Sequence, residues 1–184
     1  MVTLAPRRSF TATEYHQMAE AGIFMANDRV ELIEGEIVEM SPVGAKHVNG
    51  VNSLDRILHT LVGPDIEISI QNPVRLRFDT EPEPDVVLLA ADRDRQSIPQ
   101  VRDVRLLIEV SDSSLAYVRG TKLPLYARSG VAEAWIVDVD GETIERHTEP
   151  MDGRYRLVAR AGRGESLPST TVPAVTLDVN AVLG

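Results

Sequence analysis

At 184 residues the chain has room for one ordinary hydrophobic core and is cramped for two, so we read residues 1–184 as a single domain. Hydrophobic residues at 43% and charged residues at 26% exclude a disordered chain, and the absence of cysteine excludes disulfides and thiolate metal sites. A net charge of −9 argues against a broad basic nucleic-acid surface, although carboxylates gathered for a divalent cation make a protein acidic in the same way.

The stretch from Met1 to Phe10 has Arg7 and Arg8 but no apolar run behind them, which is not the pattern of a secretory signal. No apolar stretch is long enough to span a bilayer, so we expect a cytoplasmic protein with no membrane partner. Thr11 stands three residues before Glu14, the spacing of a capping box, and Phe10 and Tyr15 are placed as a hydrophobic staple. This predicts a helix from there to about Glu20, stopped at Gly22. A hairpin follows, Arg29 to Ile33 and Glu36 to Met40, turning at Glu34-Gly35. Ser41, Pro42 and Gly44 break the pattern. From Lys46 to Val62 the apolar positions Val51, Leu54, Leu58 and Leu61 predict a second helix, with His47 on the same stripe. Alternation at Ile66, Ile68 and Ile70, resumed at Val74, Leu76 and Phe78, predicts a strand kinked at Pro73. The stiff connector Glu81-Pro82-Glu83-Pro84 delivers Asp85 to the apolar run Val86 to Leu89.

Asp92 to Arg102 reads as a charged loop, and Val104 to Val110 as a strand buried on both faces. A loop from Ser111 to Gly120 should lead into a short helix with Thr121 as N-cap, Pro124 in its first turn and Gly130 as its stop. Strands follow at Ala134 to Val137, Thr143 to His147 and Arg154 to Ala159, then a proline-marked tail. There is no internal repeat. The order of elements predicts an α/β (α+β) protein with a central mixed β-sheet flanked by helices, preceded by an N-terminal helix and hairpin.

Glu109 closes an apolar strand, where an ionised carboxylate is costly unless a cation compensates it. On its own it reads first as the solvated end of that strand. Asp85 alone reads first as a turn residue. Together, one acid at the end of each of two neighbouring strands suits Mg²⁺, which takes one or two carboxylates and keeps its remaining waters. Lys122, at the start of the next helix, would reach back to the same end of the sheet and place an ammonium beside a phosphate; its plainer reading is a surface lysine. Arg154, Arg156, Arg160 and Arg163 form the densest basic strip, which also reads as a strand edge kept soluble by charge. Ser113 and Ser114 lack an oriented His–acid pair and read as turn residues.

The segments Glu81-Pro82-Glu83-Pro84-Asp85-Val86-Val87, Ile108-Glu109-Val110-Ser111-Asp112, Gly120-Thr121-Lys122-Leu123-Pro124-Leu125-Tyr126-Ala127 and Ala134-Trp135-Ile136-Val137-Asp138 resemble the Uma-type restriction endonuclease family. So do the hairpin Val30 to Glu36, the Ser41-Pro42 turn, His47 and Gln71-Asn72-Pro73-Val74. The resemblance runs from about residue 9 to about residue 180. It implies a restriction-endonuclease-like core of the PD-(D/E)XK kind: Asp85 and Glu109 on Mg²⁺ or Mn²⁺, the Val110 carbonyl as a further ligand, and catalytic roles for Lys122 and His47. His47 reads equally as a satisfied histidine on an apolar face. The position two after Glu109 is Ser111, so the resemblance places the lysine on the following helix. Val118 departs from the family, whose members usually carry an aspartate there, shortly before the Arg and Lys of this segment. Gln71, Glu31, Glu36 and Ser111 are second-tier candidates; the plainer readings of the first three are an exposed strand end and two surface glutamates. The implied function is hydrolysis of DNA by a homodimeric endonuclease. The alternatives are a catalytically silent binding or assembly module of the same fold, and a metal-dependent phosphoesterase acting on RNA or nucleotides.

Overall fold

The computed structural model describes residues 7–25 and 27–184; Met1 to Pro6, on which the reading of the N-terminus partly rests, lie outside the described residues. Helix α1 (Ala12–Glu20) opens with the expected capping box: Thr11 Oγ1 accepts the Glu14 N–H, and Glu14 Oε2 accepts the Thr11 N–H. Strands β1 (Val30–Ile33) and β2 (Glu36–Glu39) pair antiparallel about Glu34 and Gly35. Both turn residues have positive φ, 49° and 79°, which matches the right-handed twist of the flanking strands. Helix α2 (Ala45–Leu61) buries His47, Val51, Leu54 and Leu58, the stripe read from the sequence.

A six-stranded sheet forms the centre, from β3 (Ile66–Ile70) through β4 (Val86–Ala90), β5 (Val104–Ser111), β6 (Glu133–Asp138) and β7 (Thr143–Met151) to β8 (Arg154–Gly162), in that spatial order. Only the β5–β6 pair is parallel. A parallel neighbour demands a crossover, and the chain makes it through α3 (Leu115–Tyr117) and α4 (Leu123–Ser129). Side chains alternate between two cores. Val86, Leu88, Leu106 and Ile108 meet α2 and the C-terminal segment, whereas Val87, Leu89 and Leu107 meet Leu125 and Tyr126 of α4. Burial on both faces explains the unbroken apolar runs of β4 and β5. Each such Val, Leu or Ile stabilises the fold by about 1.5–3 kcal/mol. No helix among the described residues is long and apolar enough to cross a membrane.

Three expectations need correction. Residues 71–84 do not continue β3. Gln71 turns the chain at φ 50°, Pro73 has no N–H to give a ladder, and the segment forms a strap held by isolated bridges and single backbone hydrogen bonds rather than by a continuous ladder. Val74 and Leu76 are buried by that strap, but Phe78 is 67% exposed. Thr121 is not an N-cap either: helix already begins at Leu115 and runs through a wide π turn, Val118–Lys122, into α4. The turn is wide because Pro124 now lies in a helix interior and cannot donate four residues back. Leu123 instead donates to the Val118 carbonyl, five residues back, and the widened turn carries the chain past the proline. The tail is also structured: β9 (Ser166–Pro168), β10 (Thr176–Asp178) and α5 (Val179–Leu183) pack Leu167, Leu177, Val179 and Val182 onto the α2 face. Buried Glu133 ties this segment down by accepting from the backbone and hydroxyls of Thr170 and Thr171.

Candidate active site

The strap leaves the sheet at Gln71 and returns to it at Asp85, and the Gln71 N–H donates to the Asp85 carbonyl at 3.0 Å. Asp85 therefore stands just beyond the first pair of β4, beside the end of β5. Its Oδ2 accepts the Val110 N–H at 2.8 Å, and its Oδ1 faces Gln71 Nε2 at 3.3 Å and His47 Nε2 at 3.0 Å. His47 reaches it from the first turn of α2. That helix comes in close because position 50 is glycine: a Cβ there would lie 3.0 Å from Val110 Cγ1.

Glu109 points to the other face, toward the crossover helix, and is 3% exposed. Its Oε1 accepts from the Tyr126 hydroxyl and lies 3.2 Å from Lys122 Nζ. The same ammonium lies 3.2 Å from Glu31 Oε2, on β1, and 3.5 Å from the Glu83 carbonyl. Glu31 in turn accepts the Glu83 N–H and the Tyr117 hydroxyl. The wide turn and the spacing of four residues put Lys122 and Tyr126 on one side of the crossover helix, so both reach the strand it crosses.

Burial dominates the electrostatics. It pushes the Glu109 carboxyl up to about 7; the nearby Lys122 charge resists this and the Asp85 charge adds to it. Burial also works against the Lys122 charge, but Glu109, Glu31 and Asp85 outweigh it and hold the amine protonated above the usual lysine range. The hydrogen bond to Asp85 raises His47 above the ordinary imidazole value, against burial. Burial, helped by the charge of Glu31, raises the Glu83 carboxyl and pushes the Tyr117 hydroxyl up to about 12.

Asp85, Glu109, Lys122, His47, Val110 and Glu31 all line one cavity of about 310 Å³ between the hairpin, residues 41–43 and the end of β5. Gln71 touches it through Asp85. Ser111 is fully buried outside the lining and faces Ser114 Oγ at 3.0 Å. Glu36 stands apart on the surface, paired with Arg7. Arg154, Arg156, Arg160 and Arg163, on β8 and just after it, do not line the cavity. Sequence reasoning missed Tyr126, Tyr117, Glu83 and Arg29. Tyr126 had a usable signal, since it follows Lys122 by one helical turn; the others depend on where the hairpin and strap lie.

A family profile described as "Putative restriction endonuclease" (Uma2) matches residues 12–180. The chain belongs to this family. Among solved structures it is similar to a protein from Anabaena variabilis ATCC 29413 described as a "putative nuclease belonging to DUF820". The TM-score is 0.73 at 15% identity, over 95% of this chain and 97% of that one, which shows a common, restriction-endonuclease-like fold. No curated protein matches.

Nucleases of the kind named in the Uma2 description are typically metal-dependent, so the donor set needs testing against a cation. Among the described residues no three His, Asp or Glu side chains are gathered closely enough to hold a metal ion alone. A sparser set fits. Asp85 and Glu109 are hard oxygen donors, and both contacts to Glu109 fall on Oε1. The N–H of Val110 leaves β5 toward Asp85, so its carbonyl leaves on that side too, past the last β4 partner, Val86 opposite Ile108. Two carboxylates, one carbonyl and retained waters are what Mg²⁺ accepts.

Proposed function

We propose that the chain acts, as one domain over residues 1–184, as an Mg²⁺- or Mn²⁺-dependent DNA endonuclease that hydrolyses phosphodiester bonds with an activated water. The observation that carries this reading is convergence: acids from the starts and ends of neighbouring strands and an amine from the crossover helix share one cavity. Asp85, Glu109 and the Val110 carbonyl would hold the cation. When bound, it would lower the pKa of a water and offset charge on the phosphate. Lys122, kept charged by its carboxylate neighbours, would neutralise the phosphate and orient the attacking water. Glu31, 3.2 Å from Lys122 Nζ, would keep that amine in place while Glu109 served as a ligand. His47 and Gln71 fix the orientation of Asp85, and Tyr126 fixes that of Glu109. A homodimer joined through β8, where Leu157 and Val158 are 53% and 58% exposed, would give one site for each DNA strand.

Purified protein incubated with plasmid and Mg²⁺ or Mn²⁺ tests the reading. Cleavage is expected, with Asp85→Ala and Glu109→Ala losing metal binding, and Lys122→Ala keeping metal but losing cleavage. Plasmid left intact across supercoiled, nicked and linear forms would overturn it. A second reading, a silent module of the same fold, is favoured by Val118 and by how fully the site's charges pair among themselves. Calorimetry showing no binding of Mn²⁺ by the native protein would select it. Cleavage of RNA or nucleotides in preference to DNA would redirect the substrate class alone.

A further inference from the structure

The cavity is lined by six carboxylates, those of Glu31, Glu39, Glu83, Asp85, Glu109 and Asp112, so an approaching polyanion meets a repelling wall. Three side chains of the lining can carry positive charge. Lys122 is committed to Glu31 and Glu109, and His47 to Asp85. Arg29, the third, forms no ion pair with any described residue. Its one side-chain hydrogen bond runs from Nη1 to the Ser41 carbonyl at 3.4 Å, a length at which a bond contributes little. A guanidinium has five N–H donors, so most of this one's capacity is unused.

Its placement follows from strand periodicity. Arg29 directly precedes β1, where Met40 donates to its carbonyl, and stands two residues before Glu31, so both side chains leave the hairpin toward the same side. Glu31 reaches down to Lys122 at the floor, and Arg29 stands one step outward, at the hairpin's open end. Arg29 is half-buried, lines the cavity, and reaches with its guanidinium from the hairpin to the turn before α2. Its charge also opposes the upward push on the Glu83 carboxyl, so it acts on the cavity rather than only on bulk solvent.

We infer that Arg29 is the substrate-phosphate clamp of this site, gripping the non-bridging oxygens of a nucleic-acid backbone phosphate at the cavity mouth. The inference rests on the proposed nuclease function and deepens it. A planar fork with unused donors suits a phosphate held by two oxygens, and it offers an entering backbone its first attraction ahead of the acidic floor. Arg29 serves binding, not the bond-breaking step.

Fluorescence anisotropy of a short labelled DNA duplex, with Ca²⁺ replacing Mg²⁺ and the salt concentration varied, reads this directly. Arg29→Gln should weaken binding about ten-fold and lower the slope of log affinity against log salt by about one. Arg29→Lys should keep the slope and lose part of the affinity, because an ammonium cannot fork. With Mg²⁺, cleavage by Arg29→Gln should show a raised KM and a kcat within about two-fold of wild type. If wild type binds DNA and Arg29→Gln matches it in affinity and slope, the clamp is refuted and the nuclease reading stands. A wild type that binds no DNA with Ca²⁺, Mg²⁺ or Mn²⁺ removes both. Should Arg29→Gln fail to fold, Arg29→Lys decides: affinity equal to wild type refutes the clamp.

Discussion

Glu109 makes the apo protein's stability depend on pH in a way that one substitution should erase. Its carboxyl is moved from the usual 4.5 to about 7 by burial, so the folded state holds a proton that the unfolded chain releases. For an acid displaced upward, the stabilisation is complete below the unfolded value of 4.5 and is lost as pH rises through about 7. At roughly 1.4 kcal/mol per pH unit, that interval corresponds to a loss of about 3 kcal/mol. Glu109→Gln keeps the shape and can still accept from Tyr126, but it does not titrate. Urea unfolding of both proteins in a metal chelator, from pH 4 to pH 9, gives a difference curve in which other titrating groups largely cancel. Wild type should lose about 3 kcal/mol relative to Glu109→Gln across the window, with most of the change between pH 4.5 and 7. A flat difference curve would show that Glu109 is not desolvated as described. A curve sloping the opposite way would mean that Lys122 outweighs burial, and the charge balance given for the cavity would be wrong.

Two other expectations concern the frame of the site. Glu133→Ala removes the acceptor shared by Trp135, Thr170 and Thr171 and leaves the buried Trp135 N–H unpaired, so unfolding should become easier by about 2–3 kcal/mol. Trp135 is the only tryptophan, and its fluorescence reports the loss; an unchanged midpoint would deny Glu133 its anchoring role. Gly50→Val forces side-chain atoms against Val110 and should destabilise by about 1–3 kcal/mol while lifting His47 from Asp85. Histidine NMR shifts for His47 that match wild type would contradict that coupling.

Much of the frame was legible because local and global signals agree. The Thr11–Glu14 cap, the α2 stripe and the apolar runs of β4 and β5 each have one physical reading, and the fold uses it. Asp85 and Glu109 were legible as acids at the ends of such runs. The strap was not, since Val74 and Leu76 alternate as a strand would, yet they are buried by a turn that Gln71 sets through a left-handed φ. Nor was the start of the crossover helix, because Thr121-Lys122-Leu123-Pro124 looks locally like a helix beginning. Tertiary packing of Val118 and Leu123 overrides that pattern. Glu31 read from sequence as a second-tier candidate, more plainly a surface glutamate, and it is buried instead. Its closeness to Lys122 exists only once the hairpin folds over the end of the sheet.

The wide turn at Val118–Lys122 makes chain length an angular setting. Arg119, before the surplus residue has been absorbed, grips Glu145 on β7, while Lys122, after it, grips Glu31 and Glu109. Removing one residue between them, Gly120 for instance, would permit an ordinary helix but rotate one half against the other by about 100°. Only one of the two anchors would then find its partner. Single-residue indels in this stretch should therefore be far less tolerated than substitutions at Gly120 or Thr121, whose side-chain positions are solvent-facing or only partly covered.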